Sequence, residues 1–341
     1  MPNNPTKILL SMTLIGGILI SISSNSWLGA WMGLEINLMS FIPLMSSQEN
    51  IFTTEASLKY FIIQALASSV LLFLVATEAL ISQAPLLAGS DIYEYAIMSP
   101  LLLKMGAAPM HWWFPSVMEG LSWENCLLMM TVQSAAPMIL ASHLMKVGPL
   151  VLTIVMLSVV VGSVGGMNQT SLRKILTYSS INHTGWMLMS LMGGSNLWVM
   201  YFTVYSLLTL TMTTITKSYN ISFINQTMSM KGKTTIKIAL FTTLLSLGGL
   251  PPFIGFLPKW TVIQAMVSNN MSAIMTMMVM MSLVTLYYYL RMCYSSFVTL
   301  HDETKWGPPL VKLNKTVARG VILSSVSMMG LIMCTMATNI N

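Results

Sequence analysis

Charge is scarce in this sequence. Asp, Glu, Lys and Arg together make up 8% of 341 residues, where a soluble domain carries about 25%. Composition alone therefore excludes a water-surrounded globular fold. Cysteine is nearly missing too. Cys126, Cys293 and Cys334 lie far apart with no Cys-x-x-Cys pair, which gives neither a disulfide framework nor a metal knuckle. Haem requires paired axial ligands, iron–sulfur clusters require grouped cysteines, and nucleotides require a glycine-rich strand–helix turn; the sequence offers none of these. The net charge of +6 is spread over short loops with no basic patch and no interleaved aromatics, so nucleic acid is not an expected partner.

What the chain has in abundance is apolar length. Hydrophobic residues account for 55% of positions, mean hydropathy is +0.72, and 34 methionines serve as flexible aliphatic filler. A crossing needs about 20 apolar residues. Hydropathy divides the chain into about eleven such spans, at 6–23, 27–45, 57–81, 92–118, 124–145, 149–167, 172–192, 196–217, 235–268, 271–298 and 317–336. Backbone groups in lipid must be satisfied within their own segment, so each span is expected to be helix and no strand period fits a barrel. Residues 1–7 run into the first span without a small-residue cleavage pattern, and this span is expected to stay as a helix.

The positive charges are distributed asymmetrically. Counting loops alternately puts Lys7, Lys59, Arg173, Lys174, Lys217, Lys231, Lys233, Lys237, Arg291, Lys305, Lys312, Lys315 and Arg319 on the side of the N-terminus, and only Lys146 in loops opposite. The positive-inside rule then places the N-terminus inside and, for an odd number of spans, the C-terminus outside.

Lys104 and Lys259 fall within spans, and those spans are interrupted. The fourth contains Lys104-Met-Gly-Ala-Ala-Pro109 and the ninth contains Gly248-Gly-Leu-Pro-Pro252 ahead of Lys259. Proline removes a backbone donor and clashes with the preceding turn, so both helices should break near mid-membrane. They are five spans apart, an odd number, so they enter from opposite faces. This pattern suggests inverted repeats with a transport site at the breaks, against ordinary proline kinks as the plain alternative. The expected division is a first repeat at 1–145, a second at 146–298, and a final loop and helix at 299–341. Ser158, Gly162 and Gly166, four apart, offer a close-packing face for a neighbouring helix.

Glu35 lies eight residues into its span, about 12 Å deep, near the bilayer centre. An unpaired carboxylate there is expensive, and two lysines are available to answer it. A packing carboxylate kept neutral is the structural alternative. Burial favours a neutral amine and a nearby carboxylate favours an ammonium, so Lys104 and Lys259 could switch a proton as their surroundings change. Snorkelling to the surface is the alternative for each. His183 is mid-span and could relay protons, or simply hydrogen-bond between helices; His111 follows the first break. His143 and Lys146 are expected at a solvated rim. Together these features indicate a polytopic membrane protein that moves ions or protons.

The motifs Ser26-Trp-Leu-Gly-Ala-Trp-Met-Gly-Leu-Glu35-Ile-Asn-Leu, Thr54-Glu-Ala-Ser-Leu-Lys-Tyr60, Asn168-Gln-Thr-Ser-Leu-Arg-Lys174, Tyr178-Ser-Ser-Ile-Asn-His183 and Ser246-Leu-Gly-Gly-Leu-Pro-Pro-Phe-Ile-Gly-Phe-Leu-Pro-Lys-Trp260 closely resemble the subunit 2 family of mitochondrial NADH:ubiquinone oxidoreductase, respiratory complex I, in its arthropod form. The resemblance covers nearly the whole chain, more loosely over 218–234 and the last forty residues. It implies an all-α, antiporter-like, proton-translocating membrane-arm subunit of eleven helices in the inner mitochondrial membrane. Its implied partners are other membrane-arm subunits, both antiporter-like and small core ones, and inner-membrane phospholipids. NADH, FMN, iron–sulfur clusters and ubiquinone would be bound elsewhere in the complex, with no cofactor in this chain. By motif match, Glu35 corresponds to the family's membrane glutamate, and Lys104 and Lys259 to the lysines of the two broken helices.

One position departs from the family. Where it usually has Trp-Gln-Lys-x-Ala-Pro, this chain has Val132-Gln-Ser-Ala-Ala-Pro137, so Ser134 stands in place of a central lysine. Serine cannot hold the proton, although with Gln133 it could hold water in a hydrogen-bonded wire. The expectation is a pump subunit in which Glu35, Lys104 and Lys259 form the relay. A stand-alone cation/proton antiporter and a purely structural assembly subunit remain the rivals.

Overall fold

A computed structural model describes residues 5–47, 50–81, 90–228, 234–298 and 315–330. Ordered structure within them is helical, apart from an isolated antiparallel bridge between Ser171 and Phe223. Seven helical segments among the described residues are each long and apolar enough to cross a membrane. The chain divides into two compact units, Met1–Ile154 and Val155–Asn341.

The first unit contains α1 (Pro5–Ser23), α2 (Trp27–Met45), α3 (Ile51–Ile81), α4 (Ser90–Met105), α5 (Trp113–Gly120), α6 (Trp123–Met130) and α7 (Val132–Leu144). Helix α1 packs closely on α2 through glycine. A Cβ on Gly17 would lie 2.9 Å from the backbone nitrogen of Asn37, and one on Gly33 would lie 2.5 Å from that of Ser21. This approach fixes the stretch of α2 that carries Glu35 and Asn37. Trp31 Nε1 donates to the Ser68 carbonyl at 3.1 Å, which ties α2 to α3. The fourth expected span is broken into α4 and α5. The fifth, expected to be continuous, is also interrupted, at Thr131 (φ −114°, ψ −68°) between α6 and α7. Thr131 Oγ1 donates back to the Leu127 carbonyl at 2.8 Å, competition of the kind that bends helices and leaves no trace in hydropathy.

Helix α8 (Pro149–Gly166) leads into the second unit, which continues with α9 (Leu172–Gly193), α10 (Ser195–Tyr219), α11 (Ile224–Met228), α12 (Thr234–Gly248), α13 (Phe256–Ser268), α14 (Ser272–Val298) and α15 (Lys315–Met328). The short α11 lies in what hydropathy leaves as a loop. Residues 331–336 of the last expected span, together with Cys334, Lys231, Lys233, Lys305 and Lys312, lie outside the described residues. The small face of α8 meets α9 as expected: a Cβ on Gly162 would press on the backbone of Asn182, and one on Gly185 on Ser158. Helix α9 is buried along most of its length although it carries Ser179, Ser180, Asn182, His183 and Thr184. Its hydroxyls donate to its own carbonyls, as Ser179 does to Leu176 at 2.8 Å and Ser180 to Thr177 at 2.7 Å.

The two breaks share one local construction. Helix α4 ends on Gly106 at φ +71° and α12 on Gly249 at φ +81°. In each, the amide after the glycine reaches back five residues, Ala107 to the Leu102 carbonyl at 3.1 Å and Leu250 to the Leu245 carbonyl at 3.4 Å. This is a left-handed glycine cap, with proline beyond it preventing the helix from resuming. In the second unit, Gly255 sits so close to the Ser246 carbonyl that a Cβ would collide with it. The Ile254 amide donates to the Ser327 carbonyl of α15 at 3.0 Å, which props the connection.

Gly249→Ala is predicted to destabilise this break by about 1–2 kcal/mol, the cost of a left-handed non-glycine residue. Its methyl would also press on Lys259 Cδ at 3.0 Å. Thermal inactivation of the protein in its native membrane assembly measures the loss. The same substitution at Gly16, which has open space around it, should change little.

Candidate functional site

In the first unit, Lys104 occupies the last turn of α4, 7% exposed. Backbone carbonyls at a helix C-terminus lack partners and carry partial negative charge, so this is a favourable place for a cation. Pro100 deprives the Ala96 carbonyl of its usual donor, and Ser99 Oγ supplies another at 2.8 Å. Trp113, at the start of α5, donates Nε1 to the Leu103 carbonyl at 3.1 Å, and Gln64 donates Nε2 to the Lys104 carbonyl at 3.4 Å. The end of the half-helix is thus held from both sides of the break.

Lys104 lines a cavity of ≈ 10 Å³ together with Asn37, Tyr60, Gln64, Gln133 and Pro137. That is about the room one water requires, and the site has several polar partners to hold it. Gln133 Nε2 donates to Asn37 Oδ1 at 3.0 Å across the α7–α2 interface. Pro137 lacks the amide that would have bonded the Gln133 carbonyl four residues earlier, which leaves an acceptor next to the cavity. Glu35, two residues before Asn37, is half-buried, lies near enough for its charge to act on Lys104, and has no hydrogen-bond partner for Oε2 among the described residues. Ser134 is buried in the first turn of α7, and its hydroxyl donates back across the interruption to the Met130 and Thr131 carbonyls at 3.0 and 2.9 Å. Gln133 lines the Lys104 cavity and Ser134 does not.

In the second unit the geometry is reversed. Lys259 belongs to the first turn of α13, after the break, and is 6% exposed. Its Nζ reaches back to donate to the Gly248 carbonyl, the last residue of α12, at 2.9 Å. Only glycine at 249 leaves space for the lysine chain to pass. The ammonium also stands 5.9 Å from the centroid of the buried Trp186 ring, over which a cation is attracted. His183 lies close enough to be influenced by the Lys259 charge and faces the Leu247 carbonyl. Its Nδ1 pairs with the Tyr201 hydroxyl at 2.8 Å.

Of the residues singled out by sequence, Glu35, Lys104 and Gln133 are therefore gathered in one unit and His183 and Lys259 in the other. His111 stacks on Trp112 at 5.8 Å in the α4–α5 connection, away from the cavity lining. Lys146, expected to be merely solvated, pairs with Glu94 at 2.6 Å. Lys237, counted with the loop charges, is buried within the first turn of α12. Sequence reasoning passed over Asn37, Gln64, Trp186 and Tyr201. Asn37 and Gln64 could have been found as polar residues inside apolar spans; the indole and phenol gave no such signal.

Residues 24–285 match the family described as NADH:quinone oxidoreductase/Mrp antiporter, TM. The chain is 46% identical over 339 residues to NADH-ubiquinone oxidoreductase chain 2 of Locusta migratoria, covering 98% of this chain and 97% of that one. In structure it is similar to a chain of respiratory complex I from Thermus thermophilus with bound aureothin, at a TM-score of 0.82 and 25% identity, covering 97% of this chain and 79% of that one. It also has the fold of a chain in the Mrp complex of Dietzia sp., at a TM-score of 0.81 and 16% identity, over 96% of this chain and 75% of that one.

Replacing Gln133 with Leu should cost about 1–3 kcal/mol, because Asn37 would keep a buried amide with no partner. Ser134→Ala removes only a shared bond to the turn just before it and should cost less, about 0.5–1.5 kcal/mol. Thermal inactivation of the two variants, compared in the assembled state, tests this ordering.

Proposed function

The chain belongs to the NADH:quinone oxidoreductase/Mrp antiporter membrane family, among the chain 2 subunits of NADH-ubiquinone oxidoreductase, and we propose that it translocates protons in the membrane arm of that enzyme. The observation that carries this is the pair of buried lysines, each lodged at a half-helix C-terminus inside an apolar unit. It is a subunit of a multi-subunit enzyme and contributes no redox step itself. NADH, flavin, iron–sulfur clusters and ubiquinone are assigned to other subunits, in keeping with the lack of grouped cysteines and of a nucleotide loop in the sequence. The chain is a multi-pass membrane protein. The inner mitochondrial membrane, with the N-terminus in the matrix and the C-terminus toward the intermembrane space, is the orientation supported by the loop charges. Its neighbours there would be antiporter-like and small core subunits and phospholipids.

Quinone reduction elsewhere in the enzyme changes the charge state of Glu35. That change alters the electrostatic hold on Lys104, with Gln133, Asn37 and one cavity water carrying the contact. Lys259, with His183 beside it, responds in the second half, corresponding to the proposed repeat at 146–298 as Lys104 does to that at 1–145. Moving one charge against the membrane potential costs about 2.3 kcal/mol per 100 mV, so the drive must come from electron transfer in the rest of the enzyme. A self-sufficient antiporter would exchange cations for protons as a purified single chain in liposomes, and this chain should be inert in that assay.

Lys259→Ala in the assembled enzyme, reconstituted in proteoliposomes, should lower the number of protons moved per electron; full pumping would leave only a scaffold. Glu35→Gln should lower the same ratio, and an unchanged ratio would remove Glu35 from the relay.

A further inference from the structure

The second unit holds a polar cluster that the lysine sites do not use. Tyr205, Tyr288 and Tyr289 are 3%, 0% and 1% exposed, and none of their hydroxyls closes a hydrogen bond of standard geometry among the described residues. A buried hydroxyl left unmet costs about 1–3 kcal/mol. Phenylalanine would fill the same space without that cost, so three such groups in one patch call for an explanation beyond packing.

Their positions form a line. The Tyr288 ring sits against Gly166 at the end of α8, where an added Cβ would lie 2.9 Å away. This end of the unit carries the 167–171 loop, whose Gln169 carbonyl accepts from Arg291 Nη2 at 3.4 Å. Tyr289 stands edge-on to Tyr288 with centroids 4.6 Å apart. It lies beside Ser179, and its ring is 3.5 Å from where a Gly248 Cβ would be. Tyr205 lies beside Ser180, with its ring 5.0 Å from that of His183. His183 borders the Leu247 carbonyl, and the next carbonyl, that of Gly248, holds the Lys259 ammonium at 2.9 Å. Tyr289 also lies near enough to Tyr205 to influence it.

We propose that Tyr288, Tyr289 and Tyr205, with Ser179 and Ser180, form a hydroxyl chain that conducts protons between the 167–171 loop and Lys259. A proton arriving at the loop end is accepted by the first oxygen, which releases its own to the next. The last transfer converts the Lys259 amine to ammonium. Each O–H bond broken is replaced by one formed, and no electron moves. The proposal rests on Lys259 being a proton carrier, so its test must separate the two claims.

Tyr205→Phe and Tyr289→Phe keep the rings and remove hydroxyls that have no closed bond among the described residues, so a merely structural role predicts unchanged assembly and unchanged pumping. In the reconstituted enzyme each variant should slow proton translocation at least threefold and enlarge its slowing in heavy water. Tyr287→Phe, exposed on the same helix, should behave as wild type. Wild-type pumping in both interior variants, with Lys259→Ala impaired, overturns the hydroxyl chain and spares the lysine. Wild-type pumping in all three variants overturns both. If a variant fails to assemble, a map of the intact wild-type enzyme that resolves waters decides: oxygens bridged to one another or through water support the chain, and oxygens sealed against carbon overturn it.

Discussion

Everything in this protein depends on holding an ammonium group in an apolar interior by the exposed carbonyls of a half-helix. A charge at bilayer depth costs roughly 2.5–3.5 kcal/mol. A hydrogen bond to a charged group returns about 1.5–3 kcal/mol, and a helix C-terminus adds about 0.3–2 kcal/mol depending on burial. The sums nearly cancel. The Gly248 carbonyl, which accepts from Lys259 at 2.9 Å, therefore offsets most of what it costs to hold an ammonium there.

That constraint explains several features that otherwise look unrelated. Helix α12 must stop in the middle of the unit to expose its carbonyls, so it ends on a left-handed glycine and two prolines. The lysine must return to that end, so Gly249 has no side chain in its way. The connection must not collapse, so α15 supports it at Ile254. In the first unit, where Lys104 sits on the near side of the break, Trp113 and Gln64 hold the helix end instead. There a cavity large enough for about one water, lined by Gln133 and Asn37, lies beside Lys104.

The sequence showed the breaks and their lysines because proline, glycine and charge are rare in apolar spans and each has a local, one-dimensional effect. The small-residue face of α8 was visible for the same reason. What it concealed was three-dimensional. The interruption at Thr131 arises from a side chain bonding its own helix, which leaves hydropathy unchanged. The link between Gln133 and Asn37 joins residues 96 apart, and no spacing rule connects them. Lys237 looked like a loop charge because α12 begins only three residues before it, yet it is buried. Ser134 stood out against the family's motif, but its hydroxyl turns back to the Met130 and Thr131 carbonyls and its neighbour Gln133 makes the contact.

The most direct measurement is infrared difference spectroscopy of the assembled enzyme with ¹⁵N-labelled lysine, comparing states before and after quinone reduction. The account predicts an isotope-sensitive ammonium band that appears or disappears with turnover and is lost in Lys259→Met. A lysine spectrum that stays constant through turnover, or a changing band that survives that substitution, would contradict it.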